Sequence, residues 1–338
     1  MKIWVKAILI LAVAALAAAY AIIFIMYVRP NREMIKIREK TNIPALGDNA
    51  HQSSIHFLNT GSSDAILIES DGHFALVDCA EDSDNPRDFP NLVFRGYENE
   101  VLGYLKKNCR SSDGKVHLDF ILGTHAHSDH IGGFDTVIED DDIVIDRAYL
   151  KRYDESRIRS SEIVEWDNKE VYEQTVNALN AKNVPIIADI EETEFMLGSF
   201  KITLFNTEPE TKLSDIGEND NSMGVLVEKD GKRAFLAGDI DNYTGDEERL
   251  APQIGKVDIL KVGHHSYSGS TTSGWLKTLN PDYAVITNNY CTDPTARRLT
   301  RICHCPILVT GQEQGVMAVF GDDGTLSFYN KITDWESK

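Results

Sequence analysis

Thr124-His125-Ala126-His127-Ser128-Asp129-His130-Ile131-Gly132-Gly133 gathers the densest set of metal-binding side chains in the chain. It follows an apolar run, Leu118-Asp119-Phe120-Ile121-Leu122-Gly123, with the composition of a buried strand. Four metal-binding side chains, His125, His127, Asp129 and His130, fall within six residues. A loop at the end of a strand can turn all of them toward one point. Imidazole combined with carboxylate suits zinc or a similar divalent ion. On an extended chain His125 and His127 point to one side, and Asp129 and His130 then reach the other way around the turn. Two pairs this close predict two ions rather than one. A solitary histidine is usually an ordinary surface or core residue. Four such groups together are hard to bury without a metal to offset their desolvation.

Two more segments supply what a two-ion site still needs. Arg233-Ala234-Phe235-Leu236-Ala237-Gly238-Asp239 is an apolar strand that ends in Gly-Asp, where one carboxylate oxygen per ion would let Asp239 bridge the pair. On its own Asp239 would read as a surface-turn residue. Val257-Asp258-Ile259-Leu260-Lys261-Val262-Gly263-His264-His265-Ser266 is again a buried-type strand that ends in ligands. Neighbouring residues of a strand face opposite ways, so one histidine of this pair is expected to bind metal.

Together these motifs resemble the metallo-β-lactamase superfamily over roughly residues 53–332, through His125, His127, Asp129, His130, Asp239 and His265. Phe57-Leu58-Asn59-Thr60-Gly61-Ser62-Ser63-Asp64-Ala65-Ile66-Leu67-Ile68, Asn219-Asp220-Asn221-Ser222 and Gly263-His264-His265-Ser266 resemble one branch of it. That branch holds the metallohydrolase domain of competence DNA-channel proteins and teichoic acid phosphorylcholine esterases. The stretch from Asp78 through Tyr97-Glu98-Asn99-Glu100 to Tyr104-Leu105-Lys106-Lys107 looks closer to the esterases. The resemblance implies two divalent ions, zinc or alternatively manganese. His125 and His127 would hold one, Asp129, His130 and His265 the other, and Asp239 both. Asp129, His264 and Asn219 are the expected catalytic residues, with His264 touching substrate or leaving group. Asp78 is expected to orient a ligand histidine from behind.

The chain also departs from the pattern. Many members carry a further histidine ligand between the first motif and the bridging Asp, but no His lies between His130 and His264. Asn219 stands near that place, and an amide or water would complete the shell. Ser266 replaces a common Gly, and Cys79 follows Asp78, where it reads as a buried structural thiol. Tyr267 and Tyr290 are candidate pocket residues, although ordinary core or surface aromatics is the simpler reading of each.

The chain has 338 residues, 53 of them acidic and 34 basic, for a formal charge of −19. An acidic domain lacks the basic footprint behind nonspecific nucleic-acid affinity, which argues against a bulk nuclease. The five cysteines match no structural zinc pattern. The two readings of Cys291, Cys303 and Cys305 are a disulfide from Cys291 to one of the others, or no bond at all.

Ala7 to Val28 is an uncharged run that would span roughly 33 Å as a helix, enough for a bilayer core. Ala17-Ala18-Ala19 suggests a cleaved signal peptide, but Ile22-Ile23-Phe24-Ile25-Met26 stays apolar beyond it and favours an uncleaved anchor. Lys2 and Lys6 precede the span, while Arg29, Arg32, Lys36, Arg38 and Lys40 follow it. Charge alone would keep the C-terminal side in the cytoplasm. The short leading tail and the esterase resemblance favour export, and an extracytoplasmic domain on a single-pass anchor is expected.

The expected organisation is an anchor over 1–28, a polar juxtamembrane linker over 29–52 and a hydrolase domain over 53–332. Strands are expected near 54–58, 65–69, 73–78, 117–123, 143–150, 200–205, 224–229, 233–238, 257–262, 283–287, 316–320 and 325–329. Helices are expected near 97–108, 130–138, 168–182, 271–279 and 294–302. The pattern alone gives mixed α and β; the resemblance implies a four-layer αββα sandwich. The expected activity is metal-dependent hydrolysis by activated hydroxide, on a small-molecule or cell-envelope phosphodiester. The alternatives are a nuclease and a catalytically silent envelope binding module.

Overall fold

The computed structural model describes residues 3–29, 32, 43–47, 53–83, 95–208 and 216–335. In chain order its strands are β1 (Ser53–Phe57), β2 (Ala65–Ser70), β3 (His73–Cys79), β4 (Val116–Leu118), β5 (Phe120–Gly123), β6 (Ile143–Ile145), β7 (Ala148–Leu150), β8 (Ile186–Ile187), β9 (Glu194–Leu197), β10 (Phe200–Phe205), β11 (Gly224–Lys229), β12 (Lys232–Leu236), β13 (Ile259–Lys261), β14 (Tyr283–Ile286), β15 (Ile307–Val309), β16 (Val316–Phe320) and β17 (Leu326–Asn330).

Two sheets dominate. One runs β17-β16-β1-β2-β3-β5-β7-β8 and the other β15-β14-β13-β12-β11-β10-β9, with β4 and β6 as a small separate pair. Alternation along the strands builds three apolar layers. Ile66, Ile68, Val77, Phe120 and Leu122 meet Ile202, Val225, Val227, Leu236 and Val285 between the sheets. Leu67, Leu76 and Ile121 face the other way, onto helices Glu98–Asn108, Phe134–Glu139 and Asn168–Ala181. Phe235, Leu260 and Ile286 pack outward on helices Asp246–Ile254, Ser273–Leu279 and Asp293–Ile302. The result is the expected αββα sandwich. Each fully buried aliphatic or aromatic side chain contributes about 1.5–3 kcal/mol of transfer free energy.

Some expected elements divide. The strand expected over 117–123 breaks at Asp119, whose N–H donates to Phe74 O at 2.8 Å and whose carboxylate accepts from Phe74 N at 3.2 Å. The strand expected over 143–150 breaks at Asp146, which turns back to donate to Leu118 O at 3.0 Å. The helix expected over 130–138 becomes Ser128–Ile131 and Phe134–Glu139, interrupted at Gly132-Gly133. Gly133 donates to Ala80 O at 3.1 Å, and a Cβ there would stand 2.4 Å from Cys79 O. His264 and His265 are not on a strand. With Ser266 they have φ of 50°, 47° and 75°, a left-handed turn after β13.

Trp4–Ile23 is a helix long and apolar enough to cross a membrane, by length and composition, and none of its described side chains is buried. Of the expected 29–52 linker, only 29, 32 and 43–47 are among the described residues. There Leu46 N–H donates to Asn330 O at 3.0 Å, beside β17. Residues 84–94, inside the esterase-like stretch, lie outside the described set. All five cysteines are free.

Candidate metal centre

The parallel strands place the site. β3 and β5 run parallel in the first sheet, and β12 and β13 in the second. The loops that follow parallel strands leave at one edge, the usual position for a site in such sheets. Here the two edges adjoin, and Met223 N–H donates to Thr124 O at 3.0 Å. The β5 loop brings His125 to His130, the β12 loop Asp239, and the β13 turn His264 and His265. Gly238 (φ 50°) allows the close approach before Asp239, because a Cβ there would lie 3.1 Å from Thr124 Cβ.

The six predicted ligands come together. His125, His127 and Asp239 form one group and Asp129, His130 and His265 another, each with its ligand atoms within 4.8 Å. Every imidazole is anchored through one nitrogen. Asp78 accepts from Thr124 N and Thr124 Oγ1, both at 2.8 Å, and from His130 Nδ1 at 2.7 Å. Thr124 Oγ1, its proton given to Asp78, accepts from His125 Nδ1 at 3.1 Å. Glu162 accepts from His127 Nε2 at 3.1 Å, and Thr287 O from His265 Nδ1 at 3.0 Å. Such outer partners fix tautomer and ring orientation.

The other four nitrogens face each other. His125 Nε2 lies 2.9 Å from His127 Nδ1, and His130 Nε2 3.1 Å from His265 Nε2. His130 Nε2 is 3.2 Å and His265 Nε2 3.5 Å from Asp239 Oδ1, and His265 Nε2 is 3.3 Å from Asp129 Oδ2. With a single proton on each outer nitrogen these are opposed lone pairs, which only a cation between them, a proton or a metal ion, can satisfy. Asp239 Oδ1 is buried with no hydrogen-bond partner. A cation between them resolves both conflicts, so the residues present fit a divalent metal.

The electrostatics show a pocket that draws positive charge: although burial works against it, Asp239 and Asp78 raise His130 well above the ordinary imidazole value, Glu162 raises His127, and Asp239 and Asp64 raise His265. Burial holds the His125 imidazole well below its ordinary pKa, and His130 and His127 add to the effect, leaving a neutral ring able to ligate. Burial alone would raise the Asp239 carboxyl, but the His130 and His265 imidazoles outweigh it and hold Asp239 well below the usual range. Burial also lowers His264, and His265 adds to that. Cys79 is buried and its thiol is pushed up by desolvation, in keeping with a structural residue.

A cleft of about 610 Å³ opens over the centre, with walls that include Trp166, Tyr97, Tyr243, Tyr267, Arg95 and Arg159. His264 stands at its side, 4.0 Å from Asp239 Oδ2, and Asn219 Nδ2 reaches to 3.4 Å from His264 Nε2. Asn219 Oδ1 has no hydrogen-bond partner. Tyr267 lines the cleft and accepts from Ser62 Oγ at 3.1 Å, whereas Tyr290 is an exposed residue beside it.

Sequence reasoning missed four residues here. Asp64 and Lys261 are fully buried behind the centre. Their signals were an acid at the mouth of a strand and a lone charge inside the apolar run Ile259–Val262. Glu162 and Glu218, which accepts from Ala126 N–H at 3.0 Å, sit in segments with no readable signal.

The chain is 25% identical over 181 residues to ComE operon protein 3 of Bacillus subtilis, covering 52% of this chain and 20% of that protein. It is 34% identical over 71 residues to Recombination protein 2 of Haemophilus influenzae, covering 21% of this chain and 9% of that one. It thus spans a fifth or less of the length of these curated relatives. Among solved structures, the metallo-β-lactamase fold protein YhfI of Bacillus subtilis covers 82% of this chain and 99% of its own, at TM-score 0.46 and 11% identity. Short-form human tRNase Z covers 81% and 98%, at TM-score 0.38 and 12% identity. The profile of the beta-lactamase superfamily domain matches residues 75–274, more than half of the chain and all six clustered residues. By that match the protein belongs to the beta-lactamase superfamily and carries its metallo-β-lactamase fold.

Proposed function

We propose that this protein is a membrane-anchored, binuclear metal-dependent phosphodiesterase, acting on a small-molecule or cell-envelope phosphodiester in the manner of the phosphorylcholine esterases. The observation that carries the reading is the set of four imidazoles, each pinned through one nitrogen and presenting the other to a shared centre beside Asp129 and Asp239. His125, His127 and Asp239 would hold one ion, and Asp129, His130, His265 and Asp239 the other, zinc being favoured by the histidine count and manganese also suiting the carboxylates. Bound divalent ions lower the pKa of water to near neutrality and neutralise charge on phosphoryl oxygens.

The remaining work falls to the chain. Asp78, Thr124, Glu162 and Thr287 keep the rings turned inward, so no reorganisation is needed when substrate arrives. His264 is held as a neutral imidazole at the cleft wall and donates a hydrogen bond to a substrate or leaving-group oxygen. The Asn219 amide sits beside it and orients the same group. The aromatic walls exclude water from the bound substrate. The apolar helix Trp4–Ile23 anchors the domain to the membrane, with the cleft outside the cytoplasm.

Nuclease action is the second reading, favoured by the likeness to a recombination protein and opposed by the charge of −19. The experiment is metal content and turnover of the full chain and its Asp239→Ala variant on bis-nitrophenyl phosphate, nitrophenyl phosphorylcholine and single-stranded DNA. About two metals per chain, with activity lost in the variant, is the expected result. Turnover of DNA alone would replace the first reading with the second. Metal-free, inactive wild type would leave a binding module.

A further inference from the structure

Behind the candidate metal centre lies a charge pair that the proposed chemistry does not use. Lys261 ends β13 with its side chain fully buried. Its Nζ donates to Gly238 O at 2.8 Å, pairs with the Asp64 carboxylate, and stands 3.7 Å from Asp239 Oδ1. Asp64 faces the anchored side of two rings, 3.8 Å from His130 Nδ1 and 3.6 Å from His265 Nδ1. The nitrogens turned to the centre are the two Nε2 atoms. Although Asp64, Asp239 and His265 are close enough to hold an ion, Lys261 already fills that position with a cation.

We propose that Lys261 is a resident cation of the metal centre, a positioning residue held off Asp239 by Asp64, and that the pair sets metal affinity and keeps the empty site folded. This rests on the binuclear reading above. Asp64, Asp78, Asp129 and Asp239 crowd one pocket, and buried carboxylates without compensation are costly. An ammonium supplies one positive charge, and the cost of burying it is offset by the Asp64 carboxylate and the Gly238 carbonyl. The same charge would compete with metal if it paired with Asp239. Asp64 prevents this by drawing Nζ to itself, which leaves Asp239 Oδ1 facing the inward imidazole nitrogens, His130 Nε2 at 3.2 Å and His265 Nε2 at 3.5 Å, with Nζ no nearer than 3.7 Å.

The two partners therefore have opposite signatures. In Asp64→Asn, Lys261 turns to Asp239 and zinc affinity falls about tenfold or more, with little change in metal-free melting. In Lys261→Met, Asp64 is left uncompensated, metal-free melting falls, and zinc restores more of it than in the wild type. The double variant removes both charges, and its affinity returns to within about threefold of wild type. The test uses the full chain in detergent, stripped with chelator. Zinc affinity is read by competition with a chromophoric chelator, and melting is followed with and without zinc. Asp64→Asn binding as tightly as wild type would overturn the proposal. So would three variants that lose affinity in step with melting, because that pattern marks a merely structural pair. A wild type that takes up no zinc would refute the metal-centre reading itself, and the proposal would fall with it.

Discussion

Asp78→Asn changes one oxygen to an amide nitrogen in a fully buried site, and its effect can be worked through atom by atom. The native carboxylate accepts from Thr124 N, Thr124 Oγ1 and His130 Nδ1. An asparagine oxygen can keep the Thr124 N–H, but the amide NH2 then faces His130 Nδ1. The ring answers by accepting there and carrying its proton on Nε2, the atom 3.2 Å from Asp239 Oδ1. Metal must then displace a proton, and affinity falls about 10–100-fold, or ~1.4–2.7 kcal/mol. Losing one charge-assisted hydrogen bond costs the fold a further ~1.5–3 kcal/mol. Asp78→Ala orphans all three donors and costs about 3–5 kcal/mol. The assay is chelator-competition titration with zinc, paired with denaturant unfolding of the metal-free chain. If Asp78→Asn kept wild-type affinity while losing stability, Asp78 would be a structural hub only, and the argument from anchored tautomers would be wrong.

Other outcomes follow from the same structure. Phe120→Ala opens the layer between the sheets, where its side chain is fully buried, and should cost about 3–5 kcal/mol in denaturant unfolding. Gly133→Ala would place a Cβ 2.4 Å from Cys79 O and should destabilise by about 1–3 kcal/mol. Gly103→Ala meets nothing within 4 Å inside a helix and should stabilise by about 0.5–1 kcal/mol in the same melts. Chelation should lower the melting temperature, and restoring metal to a hundred times its Kd should return about 2.7 kcal/mol. The full chain should stay in the membrane pellet through high-salt washing, while a chain lacking residues 3–28 should appear in the supernatant.

The six clustered residues were legible because each follows an apolar strand, and strand ends in a parallel sheet must converge. Asp239 shows the limit of that argument. Alone it reads as a turn residue, and only the other ligands give it meaning. Short interruptions were illegible. Asp119 and Asp146 each sit in a run apolar enough to read as one strand, and tertiary hydrogen bonds to Phe74 and Leu118 decide otherwise. The His264-His265 turn was misread because left-handed backbone carries no signal in residues other than Gly or Asn. The inference that one of them reaches the centre survived for a different reason: the turn buries His265 and leaves His264 at the wall. β15 and β9 escaped notice because three or four apolar residues carry no usable period. The cleft walls come from the loops at 95–97 and 241–243, the short helix Ser160–Glu165 with its flanking residues, and the turn at 217–219, whose placement is set by what they pack against.

The centre draws His125, His127, Asp129 and His130 from one sheet and Asp239 and His265 from the other. It is therefore a clasp across the seam of the sandwich. Sliding one sheet along the other by a fraction of an ångström would alter the spacing of the clasp long before it exposed the layer between them. Occupancy of the centre and stiffness of the seam should thus rise and fall together. In hydrogen exchange, amides bordering the seam, such as Met223 and Thr124, should slow on metal addition, while those under the outer helices should keep their rates.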